Sequence, residues 1–330
     1  MPRFAGSATA AGDKLHRRNL NRRYNLLMPW IEIRDYDHSG WSSNLDPAAR
    51  ARVYCRQLEQ GQILFFSQPP FALPKQDREF LVSQKPTGSR LHKNISYRPT
   101  ADLLRGFSDG KDTQQRVHRI MRDYSAQVTR FVSTFLAPYA GRLILDFASF
   151  RPLEEEGRDL PLHKKNDLLH VDAFPSRPTR GGRILRVFTN VNPTANRIWF
   201  IAERFPMLAE RYAKDAGLER ITSASAKRTA MHALHSMGLP VADRSAYDQF
   251  MLRFHDYLKE NSDFQSNCEK ERLEFPPMST WLVFTDGVPH AALSGQFAME
   301  QTFIVPPDAL VARESAPIHV LEKMSNRKLA

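Results

Sequence analysis

Leu168-Leu169-His170-Val171-Asp172-Ala173-Phe174 and, far downstream, Thr285-Asp286-Gly287-Val288-Pro289-His290-Ala291 are the stretches on which the reading of this chain turns. In a strand, residues two apart point to the same face, so His170 and Asp172 project together while Val171 packs on the opposite side. A third ligand must come from a strand that is close in space, and in a barrel or jelly roll such a strand can be distant in sequence. Two histidines and one carboxylate form the facial triad that holds Fe(II) on one face and leaves the other positions open for co-substrate and oxygen. Read this way, the catalytic and metal-binding residues are His170, Asp172 and His290 of a mononuclear non-haem iron oxygenase. An H-x-D pair alone is weak evidence, because by chance it is also an exposed polar pair at a strand end.

The bulk of the chain restricts the alternatives. Its 330 residues suffice for one large domain or two ordinary ones, and 42% hydrophobic with 25% charged residues is the balance of a soluble globular protein. No apolar run approaches the roughly 20 residues that span a bilayer, and the basic N-terminus lacks the apolar region of a signal peptide. Cys55 and Cys268 stand far apart in no metal-type spacing and read as free thiols of a reducing cytosol. The net charge is +11. Part of it sits in residues 1–23, where Arg3, Lys14, Arg17, Arg18, Arg22 and Arg23 face only Asp13, and this segment reads as a mobile tail. A basic surface suits nucleic acid, anionic lipid or an acidic small substrate. With no zinc-finger, RRM or helix-turn-helix signature, nucleic acid is not expected as a partner.

Along the chain, Asp46-Pro47 opens a helix as N-cap and first-turn proline, Gly61 closes it, and Ile63 to Phe66 reads as a strand. Asp112 is expected to cap a long helix whose Val117, Ile120, Met121, Tyr124, Val128, Phe131 and Phe135 make one apolar stripe, read as core. After Gly141 strands take over: Leu143 to Phe147, the His170 segment, and Arg183 to Asn192 after the Gly181-Gly182 turn. Residues 200–262 are expected to be a helical insertion, with Ser245 and Asp248 as a capping-box pair. Strands return at Trp281 to Phe284, at His290, and at Phe297 to Val305. The expected fold is therefore α+β: a double-stranded β-helix (jelly-roll) core over about 142–310, flanked by N-terminal helices over about 24–141 and carrying the insertion, all one domain over 24–330. No dinucleotide or Walker A glycine motif supports a nucleotide fold.

His170-Val171-Asp172-Ala173-Phe174-Pro175-Ser176-Arg177-Pro178-Thr179, the run from Gly182 to Pro193, and Asp286-Gly287-Val288-Pro289-His290-Ala291 together resemble the Kdo 3-hydroxylase family. The resemblance extends from about residue 25 to 310. It implies Fe(II), with 2-oxoglutarate and O2 as co-substrates, and hydroxylation at C3 of 3-deoxy-D-manno-oct-2-ulosonic acid (Kdo) in the lipopolysaccharide inner core to give Ko. Such chemistry needs no general acid or base from a side chain, and the sequence offers no compelling one.

The anchor for the distal 2-oxoglutarate carboxylate is less direct. Many related oxygenases carry an arginine about ten residues after the distal histidine, where this chain reads Met299-Glu300-Gln301-Thr302-Phe303. The cation is therefore sought on the strand after the H-x-D pair, at Arg186 or Arg183, with Asn190, Gln301 and Thr302 as polar helpers. The competing reading of Arg186 is a structural bridge to Glu300. Lys93, Arg98, Lys164, Lys165 and Arg177 are expected to form a platform for the acidic sugar, although each alone also reads as a solvated surface charge. His232, His235 and His255 read as structural, and His163 as a residue lining the pocket.

These expectations imply a cytoplasmic enzyme touching the inner membrane peripherally, with Kdo-lipid A as acceptor and the tail cations on anionic lipid. Two alternatives stand beside it: an iron oxygenase of another small acid, and a non-catalytic cupin-like sugar- or lipid-binding module.

Overall fold

A computed structural model of the chain describes residues 30–42, 46–84, 94–224 and 243–330. The basic tail, Lys93, His232 and His235 lie outside the described residues. In chain order the elements are β1 (Trp30–Glu32), β2 (Tyr36–Asp37), β3 (Gly40–Trp41), α1 (Pro47–Glu59), β4 (Ile63–Phe66), α2 (Lys75–Ser83), β5 (Ile95–Arg98), β6 (Leu103–Arg105), α3 (Lys111–Phe135) and β7 (Ile144–Arg151). There follow β8 (Arg183–Asn190), β9 (Arg197–Ile201), α4 (Phe205–Tyr212), α5 (Leu218–Ser223), α6 (Ala246–Glu260), α7 (Ser262–Asn267), β10 (Glu271–Phe275), β11 (Thr280–Phe284), β12 (His290–Ser294), β13 (Ala298–Val305) and α8 (Pro317–Ser325).

Local chemistry accounts for the element ends. The Asp46 carboxylate accepts from Ala48 N at 3.0 Å and Ala49 N at 3.3 Å, with Pro47 in the first turn, so α1 starts where its orphan amides find partners. The chain then reverses at Gly61, whose φ of +87° suits a residue without a Cβ. Ser245 and Asp248 form the capping box of α6. The long helix begins two residues earlier than expected: Gly110, at φ 52°, occupies the N-cap, and Asp112 sits inside the first turn, where it faces the positive end of the helix.

An eight-stranded sheet in the order β1-β4-β11-β8-β13-β7-β5-β6 faces a three-stranded sheet, β10-β9-β12. All the large-sheet pairings are antiparallel except β1 with β4. The outer face of the large sheet carries Leu64, Leu185, Val187, Leu282, Ala148, Phe150, Met299 and Phe303, and the α3 stripe packs in the same core. Its inner face meets the small sheet through Ile63, Phe65, Phe188, Trp281 and Val283, against Trp199, Ile201, Leu273, Phe275 and Ala292. Trp281 stacks on Phe275 at 3.8 Å and meets Trp199 edge-on at 5.5 Å. Truncating a core tryptophan of this kind costs about 3–5 kcal/mol.

Register then decides which side chains share the inner face. Glu300 lies opposite Phe188 and Ser149, and Thr302 lies opposite Arg186, which in turn faces Val283. Directly opposed residues project to one side. A row of charged and polar groups therefore runs along the inner face beside the aromatic cluster.

Three features differ from the sequence expectations. The His170 segment is not a regular strand but a single bridge between His170 and His290, because its pairing passes from His290, opposite His170, to Thr285, before the intervening turn, at Asp172. Strands β9 and β10 flank the insertion, so its helices run from Phe205 to Asn267; each is only five residues long, and β10 reads Glu-Arg-Leu-Glu-Phe, a weak alternation. The last helix, α8, buries Ile318 and Leu321 and carries no strong start signal beyond Pro317.

Candidate metal centre

Asp172 and His170 sit on an extended stretch between β7 and β8, and His290 opens β12 after the turn that follows β11. The backbone brings them together. His170 N donates to His290 O at 3.2 Å, His290 N donates to His170 O at 3.0 Å, and Asp172 N donates to Thr285 O at 2.9 Å. All three residues are buried, and one ligand atom from each lies within 4.8 Å of the others, the one such group of histidine, cysteine or acid side chains among the described residues.

The donor set fits a divalent metal. His170 Nδ1 lies 2.7 Å from Leu168 O, and His290 Nδ1 lies 3.0 Å from Val288 O. A carbonyl only accepts, so each Nδ1 carries the proton and each Nε2 presents a lone pair, as metal-ligating histidines require. Burial holds both imidazoles below their ordinary pKa, which keeps them neutral. Burial alone would raise Asp172, but the Arg186 guanidinium outweighs it and holds the carboxyl well below the usual carboxylate range. The His290 ring stacks on Trp199 at 5.1 Å, so its orientation is fixed by the aromatic core.

A chain of buried charges of alternating sign runs from Asp172 into the molecule. Arg186 Nε is 2.9 Å from Asp172 Oδ2, and Arg186 Nη1 donates to Glu300 at 2.6 Å. Glu300 also pairs with Arg151. Arg151 stands 3.7 Å from Glu155, which accepts from Arg197 at 3.0 Å, and Arg197 donates to Gly295 O at 2.8 Å. Burial would raise Glu300 and Glu155, yet the arginines beside them lower both. Charges this deeply buried persist only in pairs.

The remaining residues singled out in the sequence fall in different places. Arg186 faces the triad, and its bridge to Glu300 is present. Thr302 donates to Glu300 at 3.0 Å within the same cluster. Arg183 is 1% exposed, paired with Asp286 at 2.7 Å and stacked over Phe284. Because β8 turns adjacent side chains to opposite faces, Arg183 is sealed on the side away from Arg186. The Asn190 amide is bonded to Ala195 O, Phe275 O and Asn192 N in a loop. Gln301 Nε2 donates to Asp146 O and Thr302 O, both at 2.9 Å. Arg177 pairs with Asp146 and lies over Phe174 at 4.3 Å and Phe147 at 4.1 Å. Arg98 reaches the same Phe147 ring at 4.8 Å, and its buried Nε has no hydrogen-bond partner. Lys164 is exposed and Lys165 half-buried, at the short turn Leu162–Lys164. His163 pairs with Glu260 at 2.9 Å, outside the triad.

His255, read from sequence as structural, meets the His170 ring edge-on at 4.9 Å. Its place beside the triad has no sequence signal, because it comes from a helix far along the chain.

The family model for 3-deoxy-D-manno-oct-2-ulosonic acid (Kdo) hydroxylase matches residues 41–328. Among solved structures, the apo form of the Kdo hydroxylase KdoO, a non-heme Fe(II) alpha-ketoglutarate-dependent dioxygenase, is 34% identical with a TM-score of 0.80, covering 92% of this chain and 97% of that one. KdoO with alpha-ketoglutarate and Fe(III) aligns at 34% identity and TM-score 0.79, over 92% and 98% of the two chains. KdoO with succinate and Fe(III) gives 34% and 0.78, over 92% and 97%. The comparison with curated protein sequences gives no significant match.

Proposed function

The chain belongs to the Kdo hydroxylase family, and we propose that it hydroxylates C3 of Kdo in the lipopolysaccharide inner core, on Kdo-lipid A, to give Ko. It is an Fe(II)- and 2-oxoglutarate-dependent dioxygenase. His170, Asp172 and His290 are the proposed iron ligands, and the observation that carries the reading is their convergence with both Nδ1 protons held by carbonyls. We read the small sheet facing the large one as a double-stranded β-helix with the metal at its open end.

Bound iron supplies the oxidising chemistry, in which O2 and 2-oxoglutarate give succinate, CO2 and one hydroxyl on the sugar. The chain's own residues bind and orient. Arg186 sits on the inner face beside Asp172 and is proposed to hold the distal carboxylate of 2-oxoglutarate, with Thr302 next to it. Arg177 and Arg98, which share the Phe147 ring, are proposed to take the sugar carboxylate, and Lys93, Lys164 and Lys165 are proposed for the acceptor's phosphates. Desolvation lowers the Arg177 pKa and the nearby Arg186 adds to this, while Asp146 partly offsets both.

No described helix is long and apolar enough to cross a membrane. The acceptor is embedded in a bilayer, so peripheral contact of a cytoplasmic enzyme with anionic lipid is proposed, through the tail cations. Mass spectrometry of lipid A–core sugar from cells with and without this chain tests the function. One added oxygen on Kdo, only when the chain is present, supports it; identical sugars overturn it and favour another small acid as substrate.

A further inference from the structure

Strand-forming segments bond to a neighbour through alternate residues on each edge. The ligand segment follows this rule on one side only. His170 and Asp172 bond to His290 and Thr285, whereas Leu169 and Val171 point their backbone groups away from any strand. Helices from the insertion meet that second edge. The Gln265 side chain of α7 accepts from Leu169 N at 3.0 Å and donates to Leu169 O at 2.8 Å, the two-bond pattern of a paired strand residue. The same amide nitrogen donates to Leu258 O at 2.7 Å, which ties it to the end of α6. Two residues further along, Val171 O lies 2.8 Å from His255 Nδ1, which must be the donor. The His255 ring then rests edge-on against His170. Asp248, at the start of α6, accepts from Thr179 N at 2.8 Å and Arg180 N at 3.1 Å, holding the exit of the segment.

We propose that Gln265 and His255 are positioning residues for the metal centre: their side chains stand in for a missing strand and fix the spacing of His170 and Asp172 through the backbone at Leu169 and Val171. The insertion is thus part of the metal site without supplying a ligand. By linkage, metal binding and the docking of α6 and α7 strengthen each other. This inference rests on His170, Asp172 and His290 being the ligands.

The test is anaerobic Co(II) titration of the full-length apoprotein, read by affinity and by the visible absorption of the bound ion. Partners that orient metal ligands commonly alter affinity by about 10- to 100-fold. Gln265→Leu and His255→Phe should each weaken Co(II) by about that factor and change the visible spectrum. His255→Asn, whose amide nitrogen can occupy the place of Nδ1 and donate to Val171 O, should restore most of the affinity. Asn267→Ala, an exposed change on the same α7, should bind as the unaltered protein does. Folding is checked by near-ultraviolet circular dichroism, and if Gln265→Leu fails to fold, the pair His255→Phe and His255→Asn decides. Folded variants that bind Co(II) as tightly as the unaltered protein, with the same spectrum, overturn the proposal. Failure of the unaltered protein to bind Co(II) overturns the metal reading itself.

Discussion

Arg186 Nε stands 2.9 Å from Asp172 Oδ2, yet neither atom has a well-aligned hydrogen-bond partner. The contact is therefore an ion pair that holds the carboxylate charged without fixing its direction. The charge on Arg186 thus keeps Asp172 ionised beside the two histidines, while Glu300 keeps the guanidinium in place.

Replacing Arg186 should thus have two effects. Arg186→Ala removes one partner from a buried network, at a cost to stability of about 3–5 kcal/mol. In enzyme that remains folded, the 2-oxoglutarate KM should rise by at least about tenfold, which corresponds to 1.4 kcal/mol of lost binding. Arg186→Lys keeps the charge without the planar fork and should fall between. An unchanged KM in both would move the anchor to another cation.

Arg98 and Arg177 share the Phe147 ring. Arg98→Ala and Arg177→Ala should raise the KM for Kdo-lipid A by about tenfold each, the scale of a lost charge-assisted hydrogen bond, while substrate-free turnover of 2-oxoglutarate stays near its original rate. Steady-state kinetics with each substrate varied separates this from general damage. A shift in the 2-oxoglutarate KM instead would place these arginines on the co-substrate.

Glu155 gives a pH dependence away from the metal. Burial raises its pKa, but Arg197 and Arg151 more than compensate, so the folded value lies below the unfolded one. The unfolded chain then binds the extra proton. Stability is fully present above the unfolded carboxylate pKa and is lost as pH falls through the folded one, from about pH 5 downward. Urea midpoints across that range should show Glu155→Gln to be less stable at neutral pH with a shallower acid decline. A decline as steep as the original would remove Glu155 from the acid response.

Arg17, Arg18, Arg22 and Arg23 make the membrane proposal separable from the chemistry. Each cation near an anionic leaflet contributes about 1 kcal/mol, screened by salt. Liposome co-sedimentation at low salt should retain the full chain and lose a form lacking residues 1–23. Equal binding of the two forms would exclude the tail as the contact, and binding by neither would exclude peripheral association.

Much of this arrangement is legible in the sequence, for reasons that differ by element. The Asp46-Pro47 and Ser245…Asp248 signals work because capping is local hydrogen bonding. The convergence of His170 and Asp172 follows from two-residue spacing, a property of any extended backbone. Arg183 and Arg186 both look like anchors in sequence, and only the register of β8 against β11 and β13 separates the sealed pair with Asp286 from the side chain facing the triad. Strands β9 and β10 are too short to announce themselves. Gln265 and His255 carry no signal at all, because their proposed role is made by helices that meet the backbone of a segment 96 and 84 residues away in sequence.

The most direct test of the central claim is incubation of purified enzyme with Fe(II), 2-oxoglutarate and Kdo-lipid A under oxygen-18 gas, followed by mass spectrometry of the sugar and of succinate. The account predicts one labelled oxygen in the sugar at C3 and one in succinate, with both signals lost in Asp172→Ala. Unlabelled sugar beside continued succinate formation, or full labelling by Asp172→Ala, would contradict it.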